Sequence, residues 1–221
     1  MSFYEELQRA TADARATLVG APVIAACLQG RVGRESYLAF LGQAYHHVRH
    51  TTPLLMRLGG RLPERLAWMR RAVAEYIDEE IGHEEWILDD IAVAGGDADA
   101  VRRSRPDLPA EVMVAYAYDL IERGNPAAFF GMVFVLEGTS VALALTAADR
   151  IQQALGLPDG AFTYLRSHGT LDPEHTRHLA ALLERMTPED QADVVHAARV
   201  FFKLYGDVFR ALPVVEAAAC A

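Results

Sequence analysis

The segment PAAFFGMVFVLEGTSVALALTAADRIQQAL, residues 126–155, decides the fold class. Steps of three and four residues along it select one apolar face, and Glu137 interrupts that face near its centre. This period is typical of an α-helix with one buried face, whereas a strand alternates every second residue. The face consists of Phe130, Val133, Glu137, Val141, Ala144, Ala148 and Ile151. The segment therefore predicts a long core helix that carries a carboxylate in a buried position.

Glycine and proline divide the rest of the chain into further helical intervals. Ser2 and Glu5 form a capping box for a first helix to about residue 18, and Thr187 with the proline after it starts a last helix to about residue 211. The other intervals with helical periodicity are 34–58, 63–94, 108–123 and 162–186. With no β-rich run, the sequence predicts one all-α bundle, a single domain over residues 1–221.

Composition and charge restrict the class of function. The net charge is -9 and no basic block occurs, which argues against nucleic-acid binding. The N-terminus lacks the layout of a signal peptide, and no charge-free apolar run approaches the roughly 20 residues of a membrane helix. Cys27 and Cys220 stand far apart without a CxxC pattern, so neither a disulfide framework nor a thiolate zinc site is indicated. We expect a cytoplasmic protein that binds neither nucleic acid nor membrane.

Two other intervals also carry ionisable residues on their apolar faces. Glu80 and His83 occupy adjacent positions of that face in the interval 63–94. A buried carboxylate or imidazole costs several kcal/mol unless it is paired, protonated or bound to a metal. Carboxylate-x-x-His pairs on two helices, with a carboxylate from a third, are how helical bundles hold paired iron or manganese. The predicted metal ligands are Glu80, His83, Glu137, His168, Asp172 and His175.

Simpler interpretations exist for several of these residues. The run DEEIGHEE, residues 78–85, is typical of a solvated helix face. Asp172 stands before Pro173, as helix caps do, and His168 next to Gly169 is compatible with an ordinary loop. Together these interpretations require unrelated coincidences in three helices, and the sequence therefore favours a shared metal site.

Two more side chains are candidate catalytic residues. Tyr76 lies two turns before His83 on the same predicted face, where its hydroxyl could donate a hydrogen bond to substrate or bound oxygen. His47 lies on a predicted inward row and is interpreted as lining the pocket more readily than as a ligand. Oxygen and nitrogen ligands without thiolate suit iron or manganese and disfavour structural zinc.

Four stretches of the chain carry a resemblance to a known family: YLAFLGQAYHH (37–47), EEIGHEEWILDDIAVAGGD (79–97), FVLEGTS (134–140) and HGTLDPEH (168–175). Together they resemble the heme-oxygenase-like di-iron oxidases and oxygenases, relatives of the thiaminase-like and pyrroloquinoline-quinone-synthase-like superfamily. The resemblance implies about seven helices and frequently a homodimer. It also implies that Glu137 is a bridging carboxylate. The sequence departs from the family at Tyr76, where some members have a carboxylate.

The function that these observations predict is an iron-dependent, O2-activating oxidoreductase. Two ferrous ions per chain, with manganese as a substitute, would reduce O2 and oxidise a small organic acid or amine. The alternative is a metal-free protein of the same helical fold that binds a small ligand or serves cofactor biosynthesis. Iron binding separates these two hypotheses.

Overall fold

The computed structural model describes residues 2–170 and 173–216, except for the side chains of residues 173–175. In this part of the chain the only β-contact is an isolated bridge between Val32 and Glu216, so the predicted all-α class is confirmed. The α-helices, in chain order, are α1 (Phe3–Ala10), α2 (Ala12–Val19), α3 (Pro22–Leu28), α4 (Arg34–Val48), α5 (Thr51–Arg61), α6 (Arg70–Glu80), α7 (His83–Val93), α8 (Ala98–Arg103), α9 (Leu108–Arg123), α10 (Phe130–Leu155), α11 (Thr163–Gly169), α12 (Pro173–Glu184) and α13 (Pro188–Ala211).

The expected number of about seven helices is wrong, because breaks divide several of the predicted helices. The interval 34–58 becomes α4 and α5, and 162–186 becomes α11 and α12. The interval 63–94 becomes a 3-10 turn (Glu64–Met69) followed by α6 and α7. Long helices do form where predicted over 108–123 and from Pro188 onwards. Both predicted caps are present, since Ser2 and Glu5 bond reciprocally and the Thr187 side chain accepts from the Asp190 backbone N–H.

Helix α10 is the central helix of the core and packs against α3, α11 and α13. It comes very close to α13 at Gly131, where an added Cβ would lie 2.7 Å from the Val194 carbonyl oxygen. A second close approach joins α10 to α11, since a Cβ on Gly169 would lie 2.8 Å from the Leu145 side chain. Only glycine permits these separations without displacing a helix. The contact at Gly169 holds the residue before it, His168, beside the central helix.

One helical run in the described residues, Pro126–Leu155, is long and apolar enough to cross a membrane. Half of its most apolar window is buried inside the bundle. Core helices of water-soluble proteins commonly share this length and composition, because one helix surrounded by others needs no polar face. Because half of the window packs inside the bundle, the run is weak evidence for a membrane span.

Candidate metal centre

Three of the predicted ligands meet in the structure: Glu80, His83 and His168. Glu80 is the last residue of α6, His83 is the first residue of α7, and His168 lies near the end of α11. One donor atom from each lies within 4.8 Å of the others. The Glu80 Oε2 atom is 3.2 Å from His83 Nδ1, and the two imidazole rings are 4.9 Å apart in an edge-on arrangement. This spacing is short enough for the three donors to share one ion.

A left-handed glycine, rather than one helical turn, sets the pairing of Glu80 with His83. The predicted continuous helix over 63–94 is wrong here, because α6 ends at Glu80 and Gly82 adopts φ 91 before α7 begins. L-residues with a side chain rarely adopt this conformation, since Cβ crowds the backbone. The break turns the start of α7 so that the His83 ring returns to the end of α6.

Replacing Gly82 with alanine is expected to weaken iron binding about tenfold or more, because the strained turn would move His83 relative to Glu80. Gly156 is the matched control, since it also has positive φ (61) and open space around its Cβ but lies at the far end of α10. Both alanine variants should lose roughly 1–2 kcal/mol of stability from backbone strain. Ferrous titration of each variant checks the prediction. Equal iron affinities for Gly82→Ala and Gly156→Ala would contradict it.

The orientation of His168 leaves one ring nitrogen available. Its Nδ1 lies 3.0 Å from the carbonyl oxygen of Tyr164, and its ring packs 4.6 Å from the Tyr164 ring. A carbonyl only accepts hydrogen bonds, so Nδ1 carries the proton and Nε2 keeps its lone pair. Burial lowers the pKa of His168, although the charge of Glu80 and the hydrogen bond to Tyr164 oppose this effect. The imidazole is thus held in the neutral tautomer that a metal ligand requires.

Glu137 lies on α10 close to the same cluster. The pKa of Glu137 is raised to about 8, chiefly by burial and also by the negative charge of Glu80, while a hydrogen bond with Tyr76 opposes the shift. Tyr76, Glu80, Glu137 and His168 together line a cavity of about 70 Å³, here named the polar cavity. Two carboxyl groups in one poorly hydrated space repel each other unless one is protonated or a cation lies between them. A cation in this cavity would favour the ionised form of both.

Tyr76 lines the polar cavity and forms a hydrogen bond with Glu137, and its catalytic role stays a prediction. Burial, followed by the charge of Glu137, raises the pKa of its hydroxyl far above the usual value. The phenol therefore stays protonated and acts as a hydrogen-bond donor. Asp172 lies outside the described residues, and so does the side chain of His175, which leaves their predicted ligation as a prediction.

His47 is deeply buried, but it is not among the described residues that line the polar cavity. Its Nδ1 lies 3.0 Å from the Gln43 carbonyl oxygen, its ring packs edge-on against Tyr205, and its Nε2 has no hydrogen-bond partner within the described residues. Burial lowers the pKa of His47 to about 4, while the bond to Gln43 opposes the shift. The side chain is therefore a neutral part of the protein interior.

The buried His47 is expected to make the protein acid-sensitive. Its folded pKa is about 4, against 6.5 as the ordinary value. The unfolded chain thus takes up a proton in this window that the folded chain does not, and stability falls as pH decreases through it. Between pH 7 and pH 4 the free energy of unfolding of the His47→Phe variant should fall by about 3 kcal/mol less than that of the wild type. Urea unfolding at both pH values checks this, with exposed His196→Phe as control; parallel pH profiles for wild type and His47→Phe would refute it.

Three aromatic residues near the cluster were not singled out from the sequence. Trp86 stacks on His83 with ring centroids 4.0 Å apart, and Tyr164 and Tyr205 both line the polar cavity. Trp86 lies three residues after His83, and Tyr164 lies four residues before His168, so helical spacing could have indicated both. Tyr205 offers no local signal, because it reaches the site from α13.

The donor set identifies the class of metal that this site suits. Two imidazoles and one carboxylate that leave other coordination positions open are the ligands of many non-heme iron(II) sites. Residues 38–206 match the model of a family described as iron-containing redox enzymes. The chain belongs to this family. Its Glu-His-His cluster, within the described residues, offers ligands that fit the metal for which the family is named.

Solved structures with the same fold support the assignment of architecture. A domain of unknown function with a heme oxygenase-like fold from Shewanella denitrificans has TM-score 0.83 and 23% identity, covering 95% of this chain and 90% of that one. A TenA homolog from Pseudomonas syringae has TM-score 0.76 and 12% identity, covering 94% of this chain and 90% of that one. Heme oxygenase from Leptospira interrogans has TM-score 0.75 and 14% identity, covering 95% of this chain and 99% of that one. No curated protein gives a significant match. The chain therefore has the heme oxygenase-like fold that its sequence predicted.

Proposed function

We propose that this iron-containing redox enzyme binds ferrous iron at Glu80, His83 and His168 and uses O2 to oxidise a small organic acid or amine. The observation that carries the proposal is the cluster of two imidazoles and one carboxylate with donors within 4.8 Å. When bound, iron supplies the one-electron and O2 chemistry that protein side chains lack. The side chains bind the metal, hold the substrate and limit the access of water.

A second iron, bound through Glu137, is the finer part of the proposal. Glu137 and Glu80 line the same cavity, and burial with the charge of Glu80 raises the pKa of Glu137 to about 8, so a cation between the two carboxyl groups would offset their repulsion. Asp172 and His175 are proposed to complete this second position. Their spacing of three residues suits a chelate on one helix face, as in other di-iron bundles.

Tyr76 is proposed to position Glu137 and to supply a hydrogen bond. Its hydroxyl bonds to the Glu137 carboxyl group, and its ring lies against Phe130 with centroids 6.3 Å apart. The packed ring fixes the hydroxyl, so the carboxyl group is held in one orientation. Metal binding would displace the proton that Glu137 retains in the metal-free protein at neutral pH.

Anaerobic loading with ferrous iron tests the proposal. The purified chain, freed of metal and then loaded and desalted without oxygen, should retain stoichiometric iron by metal analysis. Exposure to air should then consume O2, while the metal-free protein treated identically should consume none. Manganese loading is the matched metal control. A chain that retains no iron after this procedure would instead be assigned to metal-free binding of a small ligand.

A further inference from the structure

Asp90 is a fully buried carboxylate on α7 that the proposed function does not use. Its Oδ1 accepts a hydrogen bond of 2.9 Å from the Thr163 backbone N–H, and its Oδ2 accepts one of 2.9 Å from the Tyr164 backbone N–H. The Thr163 hydroxyl also bonds to this carboxylate. Among the described residues no lysine or arginine forms an ion pair with it, so the donors of one short helix compensate its burial.

These donors belong to the first residues of α11, the helix that carries His168. The residue before this helix, Phe162, provides no side-chain cap, and Asp90 from α7 takes the place of the missing cap. With seven residues, α11 is too short to be stable by itself, so contacts with its neighbours must hold it in place. The Asp90 carboxylate therefore fixes the start of α11 to α7.

The helices α7 and α11 meet at two points. At one point, the ring of His83, the first residue of α7, lies 4.9 Å from the ring of His168. At the other point, seven residues further along α7, Asp90 holds the start of α11. The two segments thus run side by side in opposite directions over about 10 Å, at a rise of about 1.5 Å per residue. A displacement at the Asp90 end would change the separation of the two imidazoles at the other end.

Tyr164 links the Asp90 carboxylate to the His168 imidazole. Its backbone N–H donates to Asp90, and its carbonyl oxygen accepts from His168 Nδ1 at 3.0 Å. Its ring also packs against the His168 ring, with centroids 4.6 Å apart. The residue that orients His168 is thus itself held by Asp90. Metal affinity falls when the groups that orient a ligand are removed, so the carboxylate matters to the ion although it lies away from it.

We infer that Asp90 is a positioning residue of the metal centre, which holds α11 against α7 so that His168 faces the same ion as His83. The inference rests on the proposed function, because it assumes that these two imidazoles bind iron. It adds a residue that acts only through others. Asp90 is not among the described residues that line the polar cavity, so its effect must reach the ion through α11.

The variant Asp90→Asn tests the inference, with Asp190→Asn as the matched control. Asparagine keeps the volume of the side chain but replaces one acceptor with a donor, so the N–H of Thr163 or Tyr164 loses its partner. Asp190 is equally buried at the start of α13, where it bonds to Arg65. Neither member of this pair is among the described residues that line the polar cavity. The control therefore removes a buried, hydrogen-bonded carboxylate that has no connection to the ion.

Anaerobic ferrous titration and the visible spectrum of the cobalt(II)-loaded protein are the two measurements. Asp90→Asn should weaken ferrous affinity about 10- to 100-fold and shift the cobalt d–d bands, because the ligands around the ion would be rearranged. Asp190→Asn should match the wild type in both measurements. A purely structural role of Asp90 would lower the folded fraction of both variants and leave the spectrum of bound cobalt unchanged. That result, or wild-type ferrous affinity in Asp90→Asn, would overturn the inference.

Amide hydrogen exchange of the metal-free protein separates this inference from the proposed function. The amides of α11 should exchange about tenfold faster or more in Asp90→Asn, whereas Asp190→Asn should leave them as in the wild type. Equal protection of α11 in all three proteins would overturn the inference, whether or not iron binds. A wild type that binds neither ion would overturn the proposed function alone, and the exchange of α11 would still decide whether Asp90 holds this helix. If Asp90→Asn does not fold, Asp90→Ser, whose hydroxyl can accept from one N–H, takes its place in the same comparisons.

Discussion

His168→Ala is expected to reduce ferrous iron affinity by about 100-fold or more and to abolish O2 consumption. The reason is geometric: His168 is the only one of the three clustered ligands that comes from α11, so its removal leaves Glu80 and His83 as a two-atom chelate. Its hydrogen bond to the Tyr164 carbonyl would also be lost. Removing a residue that only hydrogen-bonds to a metal ligand lowers metal affinity about 10- to 100-fold, and removing a direct ligand lowers it more.

The measurement is an anaerobic titration with ferrous iron, followed by oxygen uptake with an electrode. His196→Ala provides the control, because it removes an exposed imidazole from α13 without touching the cluster. A His168→Ala protein that is folded and still retains stoichiometric iron would remove the basis for the proposed site.

Glu137→Leu is expected to have two opposite effects. O2 consumption should be lost, because the carboxylate proposed for the second iron is absent. The metal-free protein should become more stable at alkaline pH, because the folded pKa of Glu137 is about 8, above its ordinary value of 4.5. The folded chain then binds the extra proton between these pH values, and the wild type loses stability as pH rises through this window. Between pH 5 and pH 9 the variant should avoid a loss of about 4 kcal/mol in the free energy of unfolding.

Chemical unfolding of metal-free protein at pH 5 and pH 9 measures the second effect. Glu137→Gln is the matched variant, since it keeps the side-chain volume and a group that can accept from Tyr76 but carries no charge. It should reproduce the gain in alkaline stability and also lose oxygen uptake. If Glu137→Leu instead consumed O2 at the wild-type rate, the carboxylate would have no part in the reaction.

Much of the fold could be predicted from local patterns. The helix over residues 126–155 and the caps at Ser2 and Thr187 depend on nearest neighbours along the chain, and the structure reproduces them, although Val141 of the predicted buried face is exposed. The break at Gly82 was missed, because a glycine within a periodic run is compatible with a continuous helix. Such a break is decided by tertiary packing, which here brings the His83 ring back to Glu80.

The candidate site could be predicted in part for the same reason. Glu80, His83 and His168 stood out because charged groups replaced apolar ones at helical spacing, and the structure brings all three together. Tyr205 could not be predicted, because it reaches the polar cavity from α13, which is distant in sequence from the other residues of the site.

The stacking of Trp86 on His83 provides the protein with an internal optical reporter. The indole lies 4.0 Å from a proposed ligand ring, so a paramagnetic ion held by that ring would quench its emission. The other tryptophan, Trp68, has the Arg185 guanidinium over its ring rather than any residue of the metal cluster. Changes in fluorescence would thus follow the occupancy of one particular position, and could be read in real time without a label.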